Sequence, residues 1–581
     1  MANNYERPAL LPLPDLGQTV QGYLDRVRPL VTLAEYGVAA QTAKAFASGG
    51  GKQLQSLLEK FGEGSGDSWL TAMWLDKYLA YRGELSINMN YLTTMDTSKL
   101  SRRGSLAEFA AAIVHSFAKV YVQYATGSLP QEAGRSGPLC MGQYGYVFAG
   151  CRLPKAGQDG LYVGGGSVKN AHVLVMSRGN MYVLPVTDAD GEMYGVAGLS
   201  AAIAQIDSAD EPSPNIGILT TAKRDEAAKL YGHLQQLDPR NAENFEKVNS
   251  ALFALCIDHR GSRSADAAIF DMLYGYGQNR WFDKCFQIIL ADDYSVGFNN
   301  EHTAYDAAVW TSILQGVYKE LAGEGGGEGS GSAPGVTRLE WTVDAEASQA
   351  ISKMEQADKT RGTGILLNTH VFDGFGSGAM KELKSSPDAF FHLALQLAWF
   401  RHTGRLDSTY EAVSMRQYHQ GRTECMRPST TAVLDFMLAH REGLGRADLE
   451  KLARKAFDMH VGMIMQCQAG NGPERHLTGL ETMAAAHGIS LDASENIFAG
   501  KAYARLKHDT ISSSGLSVKG LEFFAFGAVV DDGFGVGYVI DADNIRLCLS
   551  CTEQNKDALV PFTKEVGRAL FDIRDILRGE G

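Results

Sequence analysis

Residues 279–310 read NRWFDKCFQIILADDYSVGFNNEHTAYDAAVW, and this stretch decides the kind of fold. Its two apolar runs, CFQIILA and VGFNN, flank a turn at 292–294, a pattern typical of a hairpin of two buried strands. His302 follows the second strand, where a helix is predicted to begin, and Asp306 lies four residues further on. An HxxxD pair at such a junction can hold an imidazole at the mouth of a pocket while the carboxylate fixes the neighbouring structure.

The same mixture of strands and helices continues outward on both sides. Helical patterns run to about Arg82 and over 109–125, and the second half of the chain is mostly helical to about Leu506. Another hairpin is predicted at AHVLVMS and MYVLPV around the turn 178–180. Strand-like runs return at EFFAFGAVV, FGVGYVI and IRLCLS, before a closing helix over about 557–577. The fold class is therefore mixed α/β.

The size and charge of the chain limit the number of lobes and the kinds of partner to be expected. With 581 residues, the chain is too long to fold around a single hydrophobic core, so we expect two or more lobes. A net charge of -13 argues against nucleic acid or an anionic membrane surface as the main partner. The most apolar run, 390–400, is interrupted by His392 and Gln396, so we expect no transmembrane segment. The N-terminus lacks the features of a secretory signal or a transit helix.

The cysteines and one glycine-rich segment add two expectations. Eight thinly spread cysteines predict reduced thiols in an intracellular compartment, either cytoplasm, mitochondrial matrix or peroxisome. Cys548 and Cys551 form one CxxC without the second pair that a zinc site needs, so we interpret them as core thiols on a strand. The segment 323–335, GEGGGEGSGSAPG, is expected to be a flexible surface linker near a lobe boundary.

Several widespread catalytic motifs are absent from the sequence. There is no GxxxxGK[ST], no GxGxxG between a strand and a helix, no HExxH and no GxSxG. Gly533, Gly535 and Gly537 alternate within a strand-like run and lack the spacing for phosphate binding, so we expect them to permit close backbone packing. The sequence therefore gives no motif that indicates a nucleotide-binding protein, a zinc protease or a serine hydrolase.

HxxxD alone is a weak pattern, but its surroundings are specific. NRWFDK followed by Glu301-His302 and Asp306 resembles the central signature of the choline/carnitine acyltransferases. Further segments resemble this family in the family's order, from about Leu11 to about Leu577. These segments are PLCMGQY at 138–144, SSPDAFFHLALQLA at 385–398, TYEAVSMRQYHQGRTECMR at 409–427, ERHLTGL at 474–480, ISSSGL at 511–516 and DDGFGVGY at 531–538.

The resemblance implies a fold and a reaction. The fold would be two pseudo-symmetric lobes, each like a chloramphenicol acetyltransferase subunit with a mixed sheet and flanking helices, around a central tunnel. We place the first lobe, with the catalytic histidine, at 86–342 and form the second from 1–85 plus 343–581. A neutral imidazole can take a proton from a hydroxyl or thiol that attacks a thioester and return it to the leaving group. The resemblance makes His302 this base, with coenzyme A or acyl-coenzyme A as co-substrate and neither a bound cofactor nor a metal.

The serine segment and Asp306 complete the catalytic set that the resemblance implies. A tetrahedral intermediate needs a hydrogen-bond donor at its oxyanion. Ser514 is our candidate for that donor, with turn capping by the serines as the alternative. The family usually has Ser-Thr-Ser here, so Ser513 is a mild departure.

The identity of the acyl acceptor is predicted from one candidate cation, an arginine, in its binding site. Carnitine carries a carboxylate that choline lacks, and a buried guanidinium suits a carboxylate. The resemblance assigns this role to Arg475, with Tyr410, Thr423 and Ser512 as further acceptor-binding residues; a solvated helix arginine is the alternative. Cys425 stands where a threonine is usual, which removes one polar contact.

The residues predicted to bind coenzyme A and the acyl chain are inferred from the same resemblance. Lys381, then Lys384, match the family's lysines for the coenzyme A phosphates, with Asp388 as a polar contact; plain surface lysines are the alternative. A serine, Ser377, replaces the first of the usual lysines. Phe524 matches the position where long-chain members have glycine, so its ring would favour acetyl to short acyl groups, unless it is simply a core residue.

Two other functions remain open. Some fungal polyketide synthases end in a domain of this family that moves a carrier-bound acyl chain to an alcohol, which would add an acyl carrier protein as a partner. A catalytically silent binding or structural subunit is the second alternative. We expect a monomer acting on small molecules.

Overall fold

The computed structural model describes residues 5–100, 104–207, 212–261, 264–323, 329 and 331–579. Long helices frame two sheets in this part of the chain. The helices are α1 Leu16–Val27, α2 Leu33–Ser48, α3 Gly50–Ser65, α4 Trp69–Leu79, α5 Leu106–Ala125, α6 Tyr144–Val147, α7 Val196–Asp207, α8 Arg224–Leu237, α9 Pro239–Ser250, α10 Ala265–Leu273, α11 Ala307–Ala322, α12 Ala345–Gly362, α13 Ser377–Glu382, α14 Pro387–Thr403, α15 Thr431–Arg441, α16 Arg446–Gln466, α17 Pro473–Ala486, α18 Lys501–Lys507 and α19 Lys556–Arg578.

The strands confirm both predicted hairpins and the three strand runs near the C-terminus. They are β1 Tyr91–Met95, β2 Ala133–Gly134, β3 Gly137–Pro138, β4 Gly150–Leu153, β5 Gly160–Val163, β6 His172–Ser177, β7 Asn180–Pro185, β8 Ala254–Asp258, β9 Phe286–Ala291, β10 Val296–Asn300, β11 Thr337–Arg338, β12 Ile365–Phe372, β13 Thr409–Ser414, β14 Thr423–Met426, β15 Ile511–Gly515, β16 Leu521–Ala525, β17 Phe534–Ile540 and β18 Ile545–Thr552. The class is mixed α/β, as predicted.

Two large mixed sheets organise the molecule. One sheet has eight strands in the order β11-β7-β6-β8-β9-β10-β1-β16, and it is parallel only where β8 lies between β6 and β9. The other has six strands in the order β12-β18-β17-β15-β13-β14, with β15 parallel to both β13 and β17. Parallel pairs need a long crossover, and helices such as α8, α9 and α18 lie in these crossovers.

The edge strand β16 joins parts of the chain that are far apart. It lies in sequence between β15 and β17 of the six-stranded sheet, yet it pairs antiparallel with β1 of the eight-stranded sheet, with Phe524 opposite Thr93. The first four helices pack in one hydrophobic cluster with residues of the six-stranded sheet and of α14 and α19. The lobe boundaries that we placed at 86–342 and 1–85 plus 343–581 stay a prediction.

The second half is mostly helical to about Leu506, as predicted, but it also contains strands that the sequence analysis missed. Three strands, β12, β13 and β14, lie before Leu506, where mostly helix was predicted. Strand β14 has only four residues, and β12 is partly exposed along most of its length. A short or half-buried strand carries little apolar periodicity, so the helical signal around it dominated.

The glycine and cysteine expectations have separate outcomes. A side-chain carbon on Gly537 would collide with the carbonyl oxygen of Phe524, so this glycine does permit close backbone packing. Cys548 and Cys551 are buried thiols on β18, and all eight cysteines are unpaired. In the predicted linker, residues 324–328 and 330 lie outside the described residues. None of the described helices is both long and apolar enough to cross a membrane.

Candidate active site

A cavity of about 480 Å³ lies between the two sheets and is lined by residues of both. The eight-stranded sheet contributes Tyr91 and Phe524, and the six-stranded sheet contributes Tyr410 and the serines of β15. Eight of the residues singled out from the sequence meet here: His302, Asp306, Tyr410, Thr423, Arg475, Ser512, Ser514 and Phe524.

The hydrogen bonding of His302 decides which of its nitrogens can act as a base. The residue follows β10 and precedes α11, as predicted, and its Nδ1 lies 3.0 Å from the backbone oxygen of Tyr305. Because a carbonyl oxygen only accepts, Nδ1 must carry the proton, and in the neutral ring Nε2 is left as the acceptor. The rings of Tyr78 and Tyr91 stand edge-on to the imidazole, with centroids 5.7 and 5.2 Å away.

Asp306 holds the loop that carries His302 more than it holds the ring itself. Its Oδ1 is 3.9 Å from His302 Nδ1, too far for a hydrogen bond. The carboxylate instead accepts from Arg422 Nε at 2.9 Å and from Gln143 Nε2 at 3.0 Å. Burial alone would raise the pKa of Asp306, but the Arg422 guanidinium outweighs burial and lowers it. Arg422 also donates to the backbone oxygens of His302 and Thr303.

A second buried arginine connects the histidine loop to α4. Arg152 donates to the hydroxyl of Thr303 at 3.0 Å and to the backbone oxygen of Tyr78 at 2.8 Å. Its Nε also contacts Asp159 at 2.6 Å. The unsatisfied carbonyl groups at the end of a helix need such donors. This arginine therefore fixes Tyr78 and the His302 loop relative to each other.

The serine segment forms β15, and its side chains alternate between two faces. Ser513 donates to the backbone oxygen of Tyr410 at 2.7 Å, which occupies its hydroxyl. Ser512 and Ser514 project to the other face because successive side chains alternate along a strand, and both line the cavity. Neither hydroxyl forms a hydrogen bond with any other residue that the structure describes, so both are available to a ligand.

Arg475 is a buried cation that lines the cavity. It is in the first turn of α17, its side chain is buried, and its guanidinium carbon lies 4.1 Å from the centroid of the Trp74 ring. The guanidinium donates to the Tyr410 hydroxyl at 2.8 Å and to the Thr423 backbone oxygen at 3.0 Å. It forms no ion pair with a carboxylate of the described chain. A buried cation surrounded by hydroxyl groups is an arrangement that suits a bound carboxylate.

Cys425 does not reach this cavity. It lies on β14 opposite Ala412 and is fully buried. Burial raises the pKa of its thiol to about 12, so it stays neutral. The departure from threonine therefore leaves the hydrogen bonds of Arg475 to Tyr410 and Thr423 in place.

The ring of Phe524 closes part of the cavity wall. It is 4% exposed, packs edge-on against Tyr91 with centroids 5.8 Å apart, and packs at a tilt against Phe526 with centroids 5.2 Å apart. Tyr91 in turn contacts His302. The phenylalanine thus stands one aromatic ring away from the histidine.

The three residues predicted to contact coenzyme A lie outside the lining of this cavity. Lys381 and Lys384 are exposed at the end of α13 and just after it. Asp388, in the first turn of α14, accepts a hydrogen bond from the Tyr538 hydroxyl at 2.6 Å and lies 2.8 Å from His460 Nε2. The structure therefore gives Asp388 internal partners.

Asp388 is part of a buried cluster with two histidines. The cluster consists of Asp388, His392, Glu411, His460 and Tyr538. His392 Nε2 lies 2.8 Å from Glu411 Oε2, and the Tyr538 hydroxyl is within hydrogen-bond distance of both carboxylates. Ligand atoms of Asp388, His392 and Glu411 lie within 4.8 Å of one another, so these three could hold a metal ion.

Sequence reasoning missed the aromatic and basic residues that surround the predicted site. Trp74 and Tyr78 sit on α4, where the sequence showed only a helical pattern, and Arg152 and Arg422 are buried by tertiary contacts. Arg422 stands inside the quoted segment 409–427 and could have been found as a buried partner for Asp306. The others carry no local signal.

The chain matches known proteins along nearly its whole length. A family model described as choline/carnitine O-acyltransferase matches residues 11–566. Carnitine O-acetyltransferase of Homo sapiens is 30% identical over 594 residues, which cover 98% of this chain and 93% of that protein. The mitochondrial carnitine O-palmitoyltransferase 2 of Xenopus tropicalis is 29% identical over 612 residues, which cover 98% and 91%.

Solved structures with a similar course of the chain share little sequence with it. A trichothecene 15-O-acetyltransferase from Fusarium sporotrichioides superposes with a TM-score of 0.41 at 9% identity, over 87% of this chain and 93% of that one. A wax ester synthase/diacylglycerol acyltransferase from Marinobacter aquaeolei superposes with a TM-score of 0.34 at 9% identity, over 86% and 96%.

Proposed function

The chain belongs to the choline/carnitine O-acyltransferase family, and we propose that it reversibly transfers a short acyl group between coenzyme A and the hydroxyl of carnitine. The family and the relatives support a carnitine O-acyltransferase that uses acyl-coenzyme A as co-substrate and no permanently bound cofactor. The relatives include both acetyl- and palmitoyltransferases, so the chain length of the acyl group rests on the residues of this chain.

The proposed reaction needs one base and no covalent enzyme intermediate. Nε2 of His302 takes the proton of the carnitine hydroxyl as the oxygen attacks the thioester carbonyl. The oxyanion of the tetrahedral intermediate would accept a hydrogen bond from Ser514. When the intermediate collapses, the carbon–sulfur bond breaks and the coenzyme A thiolate takes the proton from Nε2. The same groups serve the reverse direction.

The observation that carries the choice of acceptor is Arg475. Its guanidinium faces the cavity that holds His302 and is without an ion-pair partner in the described chain, while Tyr410 and Thr423 orient it. A carboxylate on the acceptor would supply the missing charge, and choline has none. These contacts favour carnitine over choline.

The position of Phe524 supports the proposal that the transferred acyl group is short. A ring that is nearly fully buried beside Tyr91 and Phe526 occupies volume that a long acyl chain would need. Lys381 and Lys384 stay our proposed contacts for the coenzyme A phosphates, because both ammonium groups are exposed to a ligand arriving from solvent. A monomeric state and an intracellular, reducing compartment also stay predictions.

The test is thiol release from acetyl-coenzyme A with L-carnitine, choline or no acceptor. We expect release that depends on carnitine, and a loss of about 10³-fold in His302→Ala because the base is removed. Arg475→Asn should raise the KM for carnitine about 10- to 100-fold, the equivalent of one buried charge-assisted hydrogen bond. The KM for acetyl-coenzyme A should not change in this variant.

Arg568→Asn is the matched control, because this arginine is 74% exposed on α19 and, among the described residues, its ion pair is with Glu565 of its own helix. It should leave both KM values unchanged. An absence of thiol release with every acceptor would reject the short-chain carnitine function, and a carrier-bound acyl donor with an alcohol acceptor would then be the next function to test.

A further inference from the structure

We propose that Lys77 adds a second, unneutralised cation beside Arg475, so that the acceptor end of the cavity binds a dianionic group such as a phosphate monoester on a hydroxyl acceptor. This inference deepens the proposed function and rests on it, since the same cavity would deliver the acceptor hydroxyl to His302. It adds a class of acceptor whose anionic group carries two negative charges, where the carboxylate of carnitine carries one.

The position of Lys77 is the first observation. It stands near the end of α4 and lines the cavity together with Arg475 of α17 and Lys507 of α18. Its Nζ lies 5.5 Å from the centroid of the Trp74 ring, on which the guanidinium of Arg475 also lies, at 4.1 Å. Two cations from different helices therefore contact one indole ring at the same end of the cavity.

The charges around these cations are the second observation. Arg427 pairs with both Glu474 and Asp509, and Lys507 lies 3.3 Å from Glu474. Lys77 and Arg475, in contrast, form no ion pair with any carboxylate in the described part of the chain. Glu474 and Asp509 are thus paired with other cations, while Lys77 and Arg475 line the cavity without an ion pair in the described chain.

Two further carboxyl groups, Glu424 and Glu481, act on these cations, but neither forms an ion pair with Lys77 or Arg475 in the described part of the chain. Glu424 accepts hydrogen bonds from the backbone N–H groups of Cys425 and Arg475, and burial raises its pKa. The groups that act on Lys77 are Lys507, Arg475, Glu481 and Asp509. Burial, Lys507 and Arg475 lower the pKa of Lys77 to about 8, while Glu481 and Asp509 act in the opposite direction.

The chemistry of the ligand follows from the donors. The Arg475 fork, the Tyr410 hydroxyl and the Lys77 ammonium lie around one end of the cavity, and the tetrahedral oxygens of a phosphate can accept from several such donors at once. The Coulomb energy between a cation and its ligand scales with the ligand charge. Loss of Lys77 must therefore cost a dianion about twice the free energy that it costs a monoanion.

The experiment measures binding of sn-glycerol 3-phosphate, glycerol and L-carnitine to the full chain by isothermal titration calorimetry. Free coenzyme A is kept saturating so that the phosphate cannot occupy the coenzyme A site. We expect the wild type to bind sn-glycerol 3-phosphate at least about tenfold more tightly than glycerol. Lys77→Met should weaken glycerol 3-phosphate about tenfold, and carnitine by about threefold or less, because carnitine has a single carboxylate and its trimethylammonium group offsets part of the attraction.

Lys455→Met is the matched control, since this lysine is 56% exposed on α16, pairs with Asp435 and lies outside the cavity lining. It should leave the affinity for both ligands unchanged. An equal loss for both ligands in Lys77→Met, or no saturable binding of glycerol 3-phosphate to the wild type, would overturn the inference. Thiol release from acetyl-coenzyme A is followed in parallel: binding of the phosphate without release for any acceptor would overturn the proposed function and leave the dianion site standing.

Discussion

At the scale of single residues, Asp306 and Arg422 form a buried pair on which the His302 loop depends. Arg422 donates to the carboxylate and to two backbone oxygens of the loop. Both side chains are 4% exposed. Removing one member of such a pair leaves the other buried without compensation, which costs more than the pair itself contributes.

Asp306→Asn is expected to destabilise the protein by about 3 kcal/mol, since the Arg422 charge loses its partner. We also expect kcat to fall about 10- to 100-fold through misplacement of His302. Urea unfolding and thiol-release kinetics measure the two effects. Asp225→Asn is the control, because that carboxylate is 61% exposed and its pair with Arg82 should contribute little. Unchanged stability in Asp306→Asn would contradict the anchoring role.

Phe524→Ala should raise kcat/KM for octanoyl-coenzyme A relative to acetyl-coenzyme A by at least about tenfold, because the ring no longer fills the space beside Tyr91. The substitution should also cost about 3 kcal/mol of stability, as for other buried aromatic residues. Competing-substrate kinetics measures the ratio of kcat/KM values, and urea unfolding of the same preparation measures the loss of stability.

Phe523→Ala separates these two effects. Phe523 is 6% exposed and packs in the hydrophobic cluster on the other face of β16, away from the cavity. It should lose similar stability and keep the acyl-chain preference of the wild type. A shift of preference in both variants would mean that Phe524 acts only through packing.

At the scale of elements, the buried cluster of Asp388, His392, Glu411, His460 and Tyr538 joins α14 and α16 to β13 and β17. Glu411 is the immediate neighbour of Tyr410, and their side chains alternate across β13. The cluster therefore supports the sheet from behind the face that lines the cavity. Its histidines and carboxylates make this support dependent on pH.

The sign of the pH dependence differs for the two kinds of group. Hydrogen bonding to His460 and the nearby histidine charges outweigh burial and lower the pKa of Asp388, so its contribution exists above about pH 4 and is lost as the pH falls. Burial would lower the pKa of His392, but Glu411 and Asp388 raise it. Its contribution is complete below about pH 6.5 and is lost as the pH rises through the raised value.

The wild type should lose stability as the pH rises above about 6.5, and in His392→Gln this loss should be smaller. The midpoint of urea unfolding at several pH values measures this. His508→Gln is the control, because His508 is 45% exposed and pairs with an exposed aspartate. Parallel pH curves for wild type and His392→Gln would contradict the assignment.

At the scale of the whole molecule, β16 ties the two sheets together. It pairs with β1 of the eight-stranded sheet, while Arg546 of β18 in the other sheet donates to the backbone oxygens of Leu521 and Glu522. The cavity lies between the two sheets, so its lining is complete only when both are in place.

We expect a single calorimetric unfolding transition, because neither sheet keeps its partners when the other unfolds. Arg546→Met should lower the temperature of that transition without splitting it, since it removes hydrogen bonds that join β16 to β18. Two resolved transitions in the wild type would show that the lobes are independent.

Local sequence determined much of this protein. The hairpin before His302, the serine strand β15 and the mixed α/β class follow from patterns of neighbouring residues, because a strand or turn is specified within a few positions. The order of the family segments likewise indicated that His302, Ser514 and Arg475 would meet, and all three line one cavity.

Only the tertiary structure decided what surrounds those residues. Trp74 lies against Arg475, Tyr78 and Tyr91 flank His302, and Lys77 faces the cavity without an ion-pair partner in the described chain, although nothing in their local sequence marks them. Asp388 lies in a buried cluster, and β16 pairs in the opposite sheet. These contacts join segments far apart in the chain, and which of them form depends on the packing of the whole molecule, which no local pattern encodes.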